Sequence, residues 1–168
     1  MTPRRLFTNL LWLAFFLALS GCGASNNPPP SGSITLQTTS KNWAFTAGAP
    51  VTLLFQPEVV TVKDSNGIPL KGVNVILSLD LSAGTSTSPV MSIYLADPTT
   101  GQPVTPITTP TDVMTSNTGT IDLWVGMEVG GTSSYSGLLY AYSGSLMTTA
   151  TFSTTCTAGT GTGAPSCT

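Results

Sequence analysis

Three cysteines, seven carboxylates and a scatter of aromatic rings are the groups in this 168-residue chain able to do chemistry, and there is no histidine. A useful serine nucleophile needs an adjacent base held in an oriented geometry. The chain offers neither a G-x-S-x-G elbow nor an S-x-x-K run. Cys22, Cys156 and Cys167 form no C-x-x-C pair, and without histidine they make a poor zinc or haem set. The carboxylates are spread along the chain as ordinary surface charge is. No catalytic residue is identified, no enzyme is expected, and no cofactor is implied.

Two weaker constellations point to binding. Asp64, Asn66 and Asp112 carry oxygens suited to Ca²⁺, which takes about six to eight such ligands. The local run Asp64-Ser65-Asn66-Gly67 lacks the further acids of a calcium loop, however, and turn formation accounts for it better. Trp43, Trp124, Tyr135, Tyr140 and Tyr142 could build a stacking surface for a glycan or a protein partner, because amphipathic rings are enriched in recognition patches.

The aromatic reading depends on the strands that carry those rings. In Ile121-Asp122-Leu123-Trp124-Val125 the apolar residues alternate, so an inward Leu123 sends Trp124 outward. Tyr140 and Tyr142 follow if Leu139 and Ala141 fill the core. Trp124, Tyr140 and Tyr142 are thus the candidate ligand surface, and packing against the segment Ser82 to Thr115 is the competing account. A register error of one residue would reverse each assignment.

The same alternation runs through Val73, Val75, Leu77 and Leu79, and through Val60 and Val62 upstream of the Asp64 turn. Leu138 to Tyr142 and Thr148 to Phe152 add two strands around Ser143-Gly144-Ser145, and Ile34 to Thr38, Val51 to Phe55 and Met91 to Leu95 are weaker candidates. With abundant Thr, Ser, Val and Gly and no helical repeat beyond the N-terminus, the chain predicts an all-β fold. The expectation is an immunoglobulin-like antiparallel β-sandwich of about seven to eight strands. Ser82 to Thr115, interrupted by Pro89, Pro98, Pro103, Pro106 and Pro110, reads as a long connecting loop.

At the N-terminus, Arg4 and Arg5 precede an apolar run from Leu10 to Leu19 and then Ser20 and Gly21, the order of an export signal. Ten apolar residues make a helix of roughly 15 Å against a bilayer core of about 30 Å, so a cleaved leader is expected rather than a membrane span. Leu19-Ser20-Gly21-Cys22 resembles the lipobox of bacterial lipoproteins. That resemblance implies cleavage before Cys22, its lipidation, and stable attachment to a membrane through several acyl chains. By the same resemblance an aspartate after the lipidated cysteine would favour the inner membrane, and Gly23 in its place implies the outer membrane, facing either the periplasm or the outside. Residues 22–33, rich in Pro, Ser, Asn and Gly, form a solvated tether.

Lipidation of Cys22 leaves Cys156 and Cys167, and in an oxidising compartment the expectation is one disulfide between them. The domain reading is a signal peptide over 1–21, the lipidated cysteine and tether over 22–33, a β-sandwich over 34–155 and a disulfide loop over 156–168. Without residues 1–21 both arginines are lost, and three lysines against seven acidic groups give a net charge of −4. A nucleic-acid binder needs a dense basic face, and that class is excluded.

The run Val60-Thr61-Val62-Lys63-Asp64-Ser65-Asn66-Gly67-Ile68-Pro69-Leu70-Lys71-Gly72-Val73-Asn74-Val75 resembles the early strands of bacterial Ig-like domains of the invasin and intimin kind. Ser116 to Ile121 is similar to their later glycine turn, and Leu139 to Gly144 to their penultimate strand. The resemblance implies a module that positions or binds another envelope or extracellular component. Regulatory modules of carboxypeptidases and outer-membrane transporters carry a similar run. The sequence reading is therefore a lipid-anchored interaction module with a protein partner, or alternatively a glycan- or calcium-dependent ligand-binding domain.

Overall fold

The computed structural model describes residues 32–82 and 91–168. Ten strands follow one another: β1 (Ser33–Leu36), β2 (Ser40–Thr46), β3 (Ala49–Lys63), β4 (Asn74–Ser82), β5 (Met91–Ala96), β6 (Pro103–Ile107), β7 (Thr111–Met114), β8 (Thr120–Gly131), β9 (Ser136–Ser143) and β10 (Leu146–Thr157). They form two five-stranded sheets, ordered β1-β3-β8-β5-β6 and β2-β10-β9-β4-β7. The fold is an all-β, immunoglobulin-like sandwich. Every pairing is antiparallel except that of β2 with β10, which is parallel and runs from Ser40 opposite Thr151 to Thr46 opposite Thr157.

Period-two alternation builds the core. Val60 and Val62 of β3, Val75 and Leu77 of β4, Met91 and Ile93 of β5, Leu123, Val125 and Met127 of β8, and Leu139 and Ala141 of β9 all turn inward and are buried. They close around Phe152 of β10, which is fully buried. Burial of this kind contributes roughly 25 cal/mol per Å² of apolar surface and is the main drive to fold.

The segment Ser82 to Thr115 is not the single loop that its prolines suggest. It contains β5, on the weaker strand candidate Met91 to Leu95, together with β6 and β7, and Pro103 and Pro106 sit where the lost N–H costs little. Pro103 opens β6, and Pro106 lies within that same sheet-edge strand. Likewise the two short stretches expected at Val51 to Phe55 and from Val60 onward are one strand, β3, that runs straight through Pro57. The structure also adds β2 to the set of strands anticipated.

Two turns fix the register at the end of the sandwich where β1 begins. Asp64 Oδ1 accepts the N–H groups of Asn66, at 2.8 Å, and Ile68, at 2.9 Å, closing the connection after β3. Thr115, buried before the second turn, donates its hydroxyl to the Leu70 carbonyl and accepts the Val73 N–H, so that it ties the connector ahead of β4 to the start of β8. Gly119 completes that second turn at φ +73°, and a methyl on it would lie 2.6 Å from Pro69 Cβ and 2.8 Å from the Leu70 nitrogen. Both the backbone angle and the crowding demand glycine. We expect Gly119→Ala to lower the unfolding free energy by about 2 kcal/mol, read from the shift of a urea midpoint at unchanged slope.

Candidate functional site

The rings expected to form one surface are divided between two. Trp124 lies on the outer face of the β1-β3-β8-β5-β6 sheet, whereas Tyr140 and Tyr142 lie on the other sheet, on β9. Trp43 and Tyr135 belong to neither. Trp43 stacks on Phe152 with ring centroids 6.4 Å apart and Lys41 Nζ 5.6 Å from its own centroid, and Tyr135 packs against the core.

Around Trp124 the structure gathers two rings that the sequence reading did not single out. Phe55 of β3 meets Tyr94 of β5 edge to face at 5.1 Å, and meets Trp124 in the same manner at 6.4 Å. Between them on β8 is Gly126, where a Cβ would come within 2.7 Å of Tyr94 and 3.1 Å of Phe55. The bare backbone there is the floor that lets three rings from three strands converge. Edge-to-face pairs of this sort contribute about 0.5–1.5 kcal/mol each beyond area burial, enough to hold the cluster in one arrangement.

The Trp124 indole is oriented by the turn between β5 and β6, since its Nε1–H donates to the Gly101 carbonyl at 2.8 Å. Asp97 shapes that turn by accepting the N–H groups of Thr99 and Thr100, both at 2.8 Å. Those two backbone donors hold the Asp97 carboxyl below the usual carboxylate range. Beside the cluster, Val51 and Leu53 of β3 are 61% and 43% exposed, and Phe55 itself is 37% exposed. The result is an open apolar surface with one oriented donor ring.

Next to Trp124 runs a cleft of about 500 Å³ lined among others by Glu58, Leu95, Asp97, Met114 and Asp122. Glu58 is buried. Its Oε1 accepts the Thr38 N–H at 2.8 Å and the Val59 N–H at 3.3 Å, while Oε2 has no partner among the described residues. The carboxylate therefore clamps the chain where it leaves β1. Among the described residues lining the cleft, no hydroxyl or thiol is paired with an oriented base.

On the opposite sheet, Tyr140 and Tyr142 lie nearly parallel, with centroids 5.8 Å apart and planes 9° apart. Tyr142 is flanked across the strands by Ile76 and Met147, which are 41% and 58% exposed. This is a second apolar patch, and among the described residues no hydrogen bond orients either tyrosine hydroxyl in the way Gly101 orients the Trp124 indole.

The calcium candidates do not converge. Asp64 spends its carboxylate on its own turn, and Asp112 Oδ1 accepts a hydrogen bond from Asn74 Nδ2 at 2.9 Å on β7 of the other sheet. Among the described residues, no three His, Cys, Asp or Glu side chains lie close enough to hold a metal ion. Cys156 and Cys167 are joined, with Cα atoms 5.8 Å apart and a sequence separation of 11. The lipobox, Cys22 and most of the tether lie outside the described residues. Among those described, no helix is long and apolar enough to cross a membrane.

Phe55 and Tyr94 were missed because each sits in a weakly marked strand. Extending the phase of Val60 and Val62 backwards along β3 puts residues 53 and 55 on the outer face, so the signal existed once the strand was known to be continuous.

No family model matches the chain, and no curated protein sequence matches it. Solved structures with similar strand arrangements include a PapD-like domain of human CEP192, at 12% identity and a TM-score of 0.40, covering 77% of this chain and 88% of that one. Another is a conjugative transposon lipoprotein from Bacteroides eggerthii, at 8% identity and a TM-score of 0.41, covering 74% and 98% of the two chains. A third is a family 123 glycoside hydrolase from Clostridium perfringens, at 14% identity and a TM-score of 0.45, where the match covers 74% of this chain but 27% of the enzyme.

Proposed function

We propose that this chain is a lipid-tethered, non-catalytic binding module of the bacterial cell envelope, carried by the lipid on Cys22 and holding a protein partner on its aromatic outer face. The observation that carries the reading is the Phe55, Tyr94 and Trp124 cluster, in which the exposed Phe55 ring is braced by the half-buried Trp124 and the buried Tyr94 on the outer face of the sheet. Interface hot spots are enriched in such aromatic anchors. The lipobox resemblance and the tether support the membrane attachment, and Gly23 after Cys22 supports the outer membrane. The resemblance to invasin-type domains supports an adhesive or accessory role.

Capture of the full-length lipidated protein from crosslinked cells tests this. A stoichiometric envelope partner is expected, together with a roughly 30-fold loss of capture in Phe55→Ala and Trp124→Ala, the scale of a 2 kcal/mol hot spot. Undiminished capture by both variants counts against the aromatic face. Intact-mass analysis of the same sample reads the acylation of Cys22. A second reading, glycan binding, rests on the parallel Tyr140 and Tyr142 rings and predicts instead that Tyr140→Ala abolishes retention on cell-wall glycans while Trp124→Ala does not.

A further inference from the structure

β3, the longest of the described strands, is uncovered along more than half of one edge. On one side β3 pairs with β8 almost throughout, but on its other side β1 covers it only from Val60 to Lys63. Among the described residues no strand pairs with Val51–Gln56 on that side. The Gln37 N–H donates to the Val59 carbonyl, which fixes the direction in which Val59 points. By alternation the N–H and C=O groups of Leu53 and Phe55 point the same way, out of the sheet edge, as does the ring nitrogen of Pro57.

An edge of this kind is normally blunted by lysines, inward charges or short length. Here no charged residue occurs between Lys41 and Glu58, and Val51-Thr52-Leu53-Leu54-Phe55-Gln56 is a charge-free run of strand-forming residues. Such a run of roughly six residues is a template for a further strand. Pro50 and Pro57 bracket the run and restrict it to one short pairing. The edge complements an uncharged, apolar, antiparallel strand, and the chain itself carries one.

We propose that two copies of this protein pair edge to edge through β3, about a two-fold axis at Leu53. Leu53 then exchanges two backbone hydrogen bonds with Leu53 of the second copy, and Phe55 lies opposite Val51. The arrangement is isologous and closes at two, because each copy offers one bracketed edge. A five-residue strand pair falls below the roughly 1,200 Å² of a stable standard interface, so the dimer is weak in dilute solution. Tethering both copies to one membrane raises their effective concentration and favours it. The pairing uses backbone groups and stands whether or not the aromatic face is a partner site.

The experiment uses the full-length chain in its own membrane. Across a hydrogen-bonded antiparallel pair the Cα atoms lie about 5.5 Å apart, within disulfide reach. On oxidation, Leu53→Cys is expected to give about tenfold more covalent homodimer than Val104→Cys, which is as accessible but lies on β6 at the far edge of the sheet. Leu53→Lys, which sets two ammonium groups against each other, is expected to reduce chemical crosslinking of the otherwise unaltered chain by about tenfold. Hydrogen exchange on the unaltered chain keeps the test independent of variant folding, with the Leu53 and Phe55 amides slowing about tenfold as surface density rises. Equal crosslinking at positions 53 and 104, linkage of Leu53→Cys to a different protein, or density-independent exchange overturns the proposal.

Discussion

Phe152→Ala is expected to lower the unfolding free energy by about 3–5 kcal/mol, the usual cost of emptying a fully buried aromatic site. Phe152 is wholly buried on β10, between β2 and β9, and its ring stacks on Trp43. Small domains have a total stability of roughly 5–15 kcal/mol, so the variant would keep only a fraction of it. A urea titration followed by tryptophan fluorescence measures the effect, and Trp43 reports directly on the emptied site. A loss under about 1 kcal/mol would mean that the surrounding side chains collapse into the space, or that Phe152 is not the centre of the core.

Removing the Cys156–Cys167 bridge, by reduction or as the double serine variant, is expected to cost about 3 kcal/mol in the chain-entropy view of so short a loop. For a domain of this size that corresponds to a fall in Tm of about 10 °C. The cost reaches the whole fold because the loop is docked onto it. Cys156 lies within β10 opposite Phe45, and the Thr168 N–H donates to the Thr132 carbonyl. Differential scanning calorimetry with and without reductant gives the number. An unchanged Tm would show that the bridged tail unfolds separately from the sandwich.

How far the fold could be read in advance follows from what alternation encodes. The inward sets at Val73 to Leu79, Ile121 to Val125 and Leu139 to Ala141 were legible because the aliphatic residues recur with period two, whatever stands between them. Alternation says nothing about which strand lies alongside or in which direction, so the parallel pairing of β2 with β10 left no trace in the sequence. The edge strand β6 carries two prolines, which its position at the sheet edge among the described strands permits; the same residues read locally as a loop. At the candidate site, Trp124 was identified from its phase alone. Its companions Phe55 and Tyr94 come from different strands, β3 and β5, and their meeting depends on Gly126, whose role is spatial and has no local signature.

The β2–β10 pairing bears on the order in which the molecule can be made. Ser153 Oγ donates to Asn42 Oδ1 across 111 residues of sequence, and β2 finds its only sheet neighbour, among the described residues, in the last strand of the chain. Whether the polypeptide leaves a ribosome or is threaded through a pore, β2 must wait, unpaired in its sheet, until β10 has emerged. Contacts this distant slow folding, because chain closure precedes any gain from them.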